Sequence, residues 1–198
     1  MAGADPVAPP PGATGAQHDL AHLQWQGTCE ALSSRPELLA HSPLLDDFNP
    51  AEATLLGSAL HRVSAQPGQV LIEEGRINDW MMLLISGTVD VVKRLPGEDI
   101  DGDSRAGAGT AADNVTRLGV VKEGAVLGEM SMLDKEPRYA SCIAITPVEA
   151  AVLTRSAVAT LIAQHPQVAA KLLVKLTQLL AQRLRNTSNQ VVKLLRNK

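Results

Sequence analysis

The fourteen residues Gly128–Ser141, Gly-Glu-Met-Ser-Met-Leu-Asp-Lys-Glu-Pro-Arg-Tyr-Ala-Ser, set the tightest limits on what this chain can be. Gly128 lets the backbone come close to a neighbour, because no side chain stands in the way. Glu129–Leu133 reads as the start of a short helix, whose free N–H groups favour an anion. Pro137 fixes the backbone just before Arg138, and arginine offers a planar fork of donors that suits a phosphate better than lysine. Glu129 stands nine residues earlier and, when ionised, only accepts, as sugar hydroxyls require. A lone arginine is most often a solvated residue. Its spacing from a glycine-carboxylate pair is what makes the stretch a candidate site for phosphate and sugar.

The flanking sequence reads as short strands separated by glycine turns. Gln66-Pro67-Gly68 opens the β region. Val70–Ile72 follows, then Glu73-Glu74-Gly75, the apolar run Trp80–Ile85, Ser86-Gly87 and a weakly alternating Thr88–Lys93. Arg117–Val121, Ser141–Thr146 and Val148–Thr154 are further strands, the last two broken at Pro147. Residues 96–116 are rich in Gly, Ala and Asp and read as a flexible insertion between strands. Their Asp99, Asp101, Asp103 and Asp113 raise calcium, but Gly102 comes too early for an EF-hand loop and no glutamate closes it.

This arrangement resembles the cyclic-nucleotide-binding domain family, which includes the catabolite activator protein and protein kinase A regulatory subunits. The family's phosphate-binding cassette runs Gly-Glu, a few apolar or small residues, a polar linker, then Pro-Arg-x-Ala-Ser/Thr. Gly128-Glu129, Met130–Leu133, Pro137-Arg138, Ala140 and Ser141 fall on it without a gap. The resemblance covers about residues 41–185. It implies a mainly β, α+β fold: a cupin-like jelly-roll barrel with N-terminal helices and a long C-terminal helix. It also implies a cAMP or cGMP ligand, with Glu129 on the ribose 2′-hydroxyl and Arg138 on the cyclic phosphate. Met130, Ser131 and Ala140 would supply backbone N–H groups, with Tyr139 and Ser141 in the same site. Tyr139 departs from the family, which usually places Ala, Ser or Thr there, and the insertion is longer than usual. An adaptor of the same fold with a silent pocket is the alternative.

Outside the barrel, residues 1–17 are mostly Ala, Gly and Pro and read as a disordered tail. Leu20, Leu23, Cys29 and Leu32 stand three, six and three residues apart, a spacing read as helical, so residues 18–40 read as a helical extension. Residues 38–65 read as mostly helical too, with Asn49 as a cap and Pro50 in the first turn. The domain proper is expected over 41–165. Residues 166–198 form the lid and dimerisation helix: Leu173, Leu176, Leu180, Leu184, Val191 and Leu194 run along one side, with Thr187 as a polar break. Distance along that helix places Leu179, Gln182 or Arg183 over the base. Its length favours a homodimer, because one small barrel cannot bury the whole face.

The remaining features narrow the function. The five histidines lie outside the expected strands, and His18 and His22 lack further ligands, so neither a metal nor a catalytic centre is expected. Cys29 and Cys142 lack metal-ligand spacing and read as reduced thiols of a cytoplasmic protein. No apolar run reaches the length of a membrane span, and no signal peptide is visible. Residues 166–198 carry seven Lys/Arg and no acid, leaving 11 basic and 21 acidic side chains elsewhere. That basic tail suits the acidic body, an acidic partner, a membrane surface or the phosphates of nucleic acid. No helix-turn-helix follows the long helix, so sequence-specific nucleic-acid binding is not expected. The expected partners are a cyclic nucleotide, a second copy and an unidentified protein, with no cofactor.

Overall fold

A computed structural model describes residues 20–95 and 115–196. The tail at 1–17, His18 and residues 96–114 of the insertion lie outside the described residues.

Strand β4 (Trp80–Ser86) shows how the fold is layered. Trp80 through Ile85 are all buried, which a strand achieves only when both of its faces are covered. Alternate side chains go opposite ways. Trp80, Met82 and Leu84 enter the barrel interior with Leu71, Ile72, Val89, Cys142 and Ala144. Met81, Leu83 and Ile85 face a helical layer with Leu44, Leu56, Leu172 and Leu176. Strand β9 (Val148–Thr154) repeats this, with Val148, Ala150 and Val152 inward and Ala151 and Leu153 toward the helices.

The strands form two antiparallel sheets. One has the order β1 (Gln24–Thr28), β2 (His61–Ala65), β9, β4 and β7 (Val126–Leu127). The other has β3 (Val70–Ile72), β8 (Ser141–Ala144), β5 (Thr88–Arg94) and β6 (Val115–Lys122). Within the first sheet Leu83 stands opposite both Ala151 and Val126, which fixes the centre of the register. Gly87 makes the turn from β4 into β5 at φ 94°, where a Cβ would lie 2.4 Å from the Pro147 carbonyl oxygen. No larger residue fits there.

Two expectations from the sequence fail at the N-terminus. Residues 24–28 are a strand, not a helix, and 61–65 are the strand with which it pairs. Leu20, Leu23 and Trp25 belong to the barrel core, so this extension is part of the domain. His61 therefore does lie in a strand. Its ring sits 6.0 Å from that of Trp25, and burial pulls its pKa down. The helices between are short. A 3₁₀ turn at Glu30–Ser34 precedes α1 (Pro36–His41) and α2 (Pro50–Ser58). The latter begins with a reciprocal cap: Asn49 Oδ1 accepts from Glu52 N–H, and Glu52 Oε2 accepts from Asn49 N–H, both at 2.9 Å.

The short helix α3 (Glu129–Asp134) leaves β7, and α4 (Arg155–Gln164) follows β9 directly, with Thr154 as its cap. Helix α5 (Pro166–Arg196) starts where Pro166 suits a first turn. Its first half packs on the barrel through Val168, Ala169, Leu172 and Leu176, and Lys175 is buried between Asp46 and Asp47. Its second half is exposed, Leu184, Val191, Leu194 and Leu195 included. No helix among the described residues is long and apolar enough to cross a membrane.

Two measurements check this packing. Trp25→Ala is expected to cost about 3 kcal/mol in chemical denaturation, the usual loss for truncating a core aromatic; an unchanged midpoint would show that β1 is dispensable. Burial pushes the Cys142 thiol up to about 12 and raises Cys29 as well. At pH 8 neither forms appreciable thiolate, the reactive form. Both are expected to resist alkylation until the chain is unfolded, and rapid native labelling of Cys142 would contradict its placement in the wall.

Candidate functional site

The stretch 128–141 curls around a cavity of about 560 Å³ between the barrel and the second half of α5. Gly128, Glu129, Met130, Ser131, Arg138, Tyr139 and Ala140 all line it. Ser141 does not: its hydroxyl accepts a hydrogen bond from the Glu74 N–H at 3.0 Å and ties β8 to a turn instead. Ile72, Val91, Val121 and Leu127 give the barrel side an apolar wall.

Arg138 is 2% exposed and is held by backbone and amide oxygens. Its Nε donates to Asn78 Oδ1 at 3.0 Å, its Nη1 to the Gly128 carbonyl at 2.5 Å and its Nη2 to the Trp80 carbonyl at 2.6 Å. The guanidinium also lies 4.2 Å from the centroid of the Trp80 ring. This packing explains Gly128, which stands at φ 74°. A Cβ on it would come within 2.3 Å of Arg138 Nη1. The glycine makes room for the arginine, and the arginine fixes the glycine's carbonyl.

Glu129 is 1% exposed, an expensive place for a carboxylate unless it is paired. Its Oε1 accepts from Arg183 Nη1, and Arg183 Nη2 donates to the Val126 carbonyl at 2.5 Å. Its Oε2 is buried and has no hydrogen-bond partner among the described residues. The site therefore holds an acceptor that lacks a donor, beside a buried cation, in one cavity. That combination suits a ligand with a hydroxyl near an anionic group.

Helix α5 closes the cavity with Leu180, Arg183, Leu184 and Thr187. Of the three lid residues expected from sequence, only Arg183 is among them. Leu179 packs on the helical core, and Gln182 donates to Asn186 Oδ1 at 2.9 Å on the exposed side. Leu180, Leu184 and Thr187 were legible as one ridge of the long helix, but that ridge reads as a packing seam. Tyr139 stands at the rim, 59% exposed. Lys93 Nζ lies 4.2 Å above its ring and donates to its carbonyl at 2.7 Å, so the ring is held at the mouth and does not fill the cavity.

A larger hollow of about 1000 Å³ opens elsewhere, beside His22, Arg76 and Arg94. Its Glu73 and Glu74 are paired with Arg76 and Lys93, and neither Glu129 nor Arg138 lines it. Among the described residues no cluster of His, Cys, Asp or Glu is placed to hold a metal ion.

Comparison with known proteins agrees with this geometry. The cyclic nucleotide-binding domain model matches residues 62–165. A CRP-like cAMP-activated global transcriptional regulator of Mycobacterium tuberculosis is 30% identical over 159 residues, covering 80% of this chain and 62% of the relative. The chain thus spans less than two thirds of that regulator's length. A cyclic nucleotide-binding domain from Methylobacillus flagellatus is 30% identical, with a TM-score of 0.71 over 86% of this chain and 88% of the other. The catabolite activator protein of Thermus thermophilus is 29% identical, with a TM-score of 0.60 over 77% and 63%. From the matched barrel and the cavity its cassette encloses, this chain belongs to the cyclic nucleotide-binding domain family.

Proposed function

We propose that this chain is a regulatory module that binds a cyclic nucleotide, cAMP or cGMP, in the cavity between barrel and α5, and relays occupancy to a partner protein through that helix. The observation that carries the reading is Glu129, buried with one carboxylate oxygen lacking a donor, in the same cavity as buried Arg138. A ribose 2′-hydroxyl supplies the donor that Glu129 Oε2 lacks. Arg138 supplies charge to the cyclic phosphate in a site shielded from water, where a charge-assisted bond counts for more. The apolar wall of Val91, Val121, Leu180 and Leu184 suits the faces of a purine, and Thr187 lines the same cavity.

No catalytic chemistry is part of this reading. Binding acts by favouring one arrangement of α5 over another, and the ligand's preference between the two sets the size of the response. The exposed apolar residues of the second half of α5 are assigned to a second copy of the chain, in a homodimer.

Calorimetric titration of nucleotide-free protein tests the binding. Either cAMP or cGMP is expected to bind at micromolar or tighter concentration. Arg138→Ala is expected to weaken binding by about 2–3 kcal/mol, the worth of charge-assisted bonds to a desolvated phosphate, and Glu129→Gln by about 1 kcal/mol. Because Arg138 also braces the fold, the melting temperature of each variant is read alongside. A folded Arg138→Ala protein with full affinity would defeat the assignment, and a wild-type chain that ignores both nucleotides would leave the adaptor reading. Light scattering tests the dimer: Leu194→Glu is expected to yield monomers without lowering the melting temperature, whereas a monomeric wild-type chain would exclude it.

A further inference from the structure

The outer face of the second sheet departs from the usual pattern. A sheet with one face in a core normally carries polar residues on the other. Here all four strands bring an apolar side chain to the hollow of about 1000 Å³: Val70 of β3, Ile143 of β8, Val92 of β5 and Val115 of β6. None of the four is buried. The register sets them in a row, with Val70 opposite Ile143, Val92 opposite Ser141 and Val115 opposite Arg94. Leu71 and Trp80 line the hollow too and are buried, so it reaches down to the barrel core.

The charges around this floor do not cancel. Glu73 Oε2 accepts from Arg76 Nε at 2.9 Å, and Glu74 Oε1 accepts from Lys93 Nζ at 2.8 Å. Glu74 Oε2 is taken by the backbone N–H of Arg94 at 2.9 Å. His22 Nε2 donates to the Val70 carbonyl at 2.6 Å, which commits its ring to the sheet. Arg94 is the guanidinium left over. It lies two residues from Val92 on β5, hence on the same face, and it lines the hollow. No acid among the described residues comes within ion-pair distance of its side chain. A fork of donors without an acceptor, standing over an apolar floor, asks for a guest with two parts. An inorganic anion would leave the floor wet, and a neutral apolar molecule would leave the fork unanswered.

We infer that this hollow is a second ligand site, for a small molecule with a carboxylate or phosphate head on an apolar body. Arg94 holds the head, in the bidentate geometry that a guanidinium favours. Val70, Val92, Val115 and Ile143 take the body. The site does not depend on the nucleotide reading above. The two cavities share a wall: Ile72 lines both, and Asn78 and Trp80, which line the hollow, also hold Arg138.

Amide NMR titration of the nucleotide-free full chain tests this. Octanoate and octyl phosphate are the probes. Octanol, acetate and inorganic phosphate are controls that each lack one part of the guest. At least one probe is expected to bind with a Kd of about 1 mM or below, shifting amides in residues 70–76, 92–95 and 141–143. The tighter of the two names the head. Each control is expected to bind more weakly by about tenfold or more. R94Q is expected to weaken the better probe by about tenfold, the worth of a charge-assisted bond, and R94K to restore part of the loss. V115E places a carboxylate opposite Arg94 at an exposed position, and is expected to abolish binding with the melting temperature unchanged. No binding of either probe would overturn the inference, as would octanol binding as tightly as the better probe. Full affinity in R94Q or in V115E would also overturn it. So would shifts confined to 129–131 and 183–187, which would place the probe in the nucleotide cavity instead.

Discussion

The structure depends on burying one guanidinium. Arg138 is as inaccessible as the aliphatic core around it, and an arginine at such a site is tolerated only when its donors are met. Two separate segments meet them: the approach to β4 through Asn78 and Trp80, whose ring also lies beneath the guanidinium, and the turn at Gly128. The cassette thus does not hang from the barrel as a loop. It is stitched to the strand that separates the two cores. The same contacts explain why the turn before α3 is a glycine and why the chain spends one of its few aromatics at position 80.

The uneven charge of the chain has an internal resolution. Lys171 pairs with Glu52, Lys175 with Asp46 and Asp47, and Arg183 with Glu129. Three of the seven basic residues in 166–198 therefore answer acids of the body, all in the half of the helix nearest the barrel or at the cavity. The sequence asymmetry reads as an address for the helix on its own domain. The Lys175 pair involves a buried cation and two more exposed carboxylates, and these raise the lysine's pKa. Its contribution is present at neutral pH and fades only as pH rises through that raised value.

Local signals were legible where neighbours in sequence decide the structure. Trp80–Ile85 reads as a strand by length and apolar content, Asn49-Pro50 as a cap, and Pro166 as a helix start. The cassette residues gather around one cavity because they are adjacent in the chain. What was not legible depends on distant partners. Strand β1 exists because β2 offers it an edge 33 to 40 residues later, and Leu20 and Leu23 show a helical step only by coincidence. Residues 61–65 continue the apolar spacing of α2, although the helix ends at Ser58. Two of the three expected lid residues, Leu179 and Gln182, miss the cavity for a simpler reason. Each residue turns a helix by about 100°, so Leu179 faces the core where Leu180 faces the cavity. Counting along the chain finds the right turn of α5 but not the right side.

Helix α5 is held along its first half and free along its second. The thirteen residues after Arg183, ending at Arg196, extend about 20 Å beyond the grip on Glu129 at 1.5 Å per residue. Such a rod converts angle into distance. A tilt of roughly 10° at the cavity would carry the far end about 3 Å. Any tilt of the helix about the cavity is therefore smallest beside the cassette and largest at its far end.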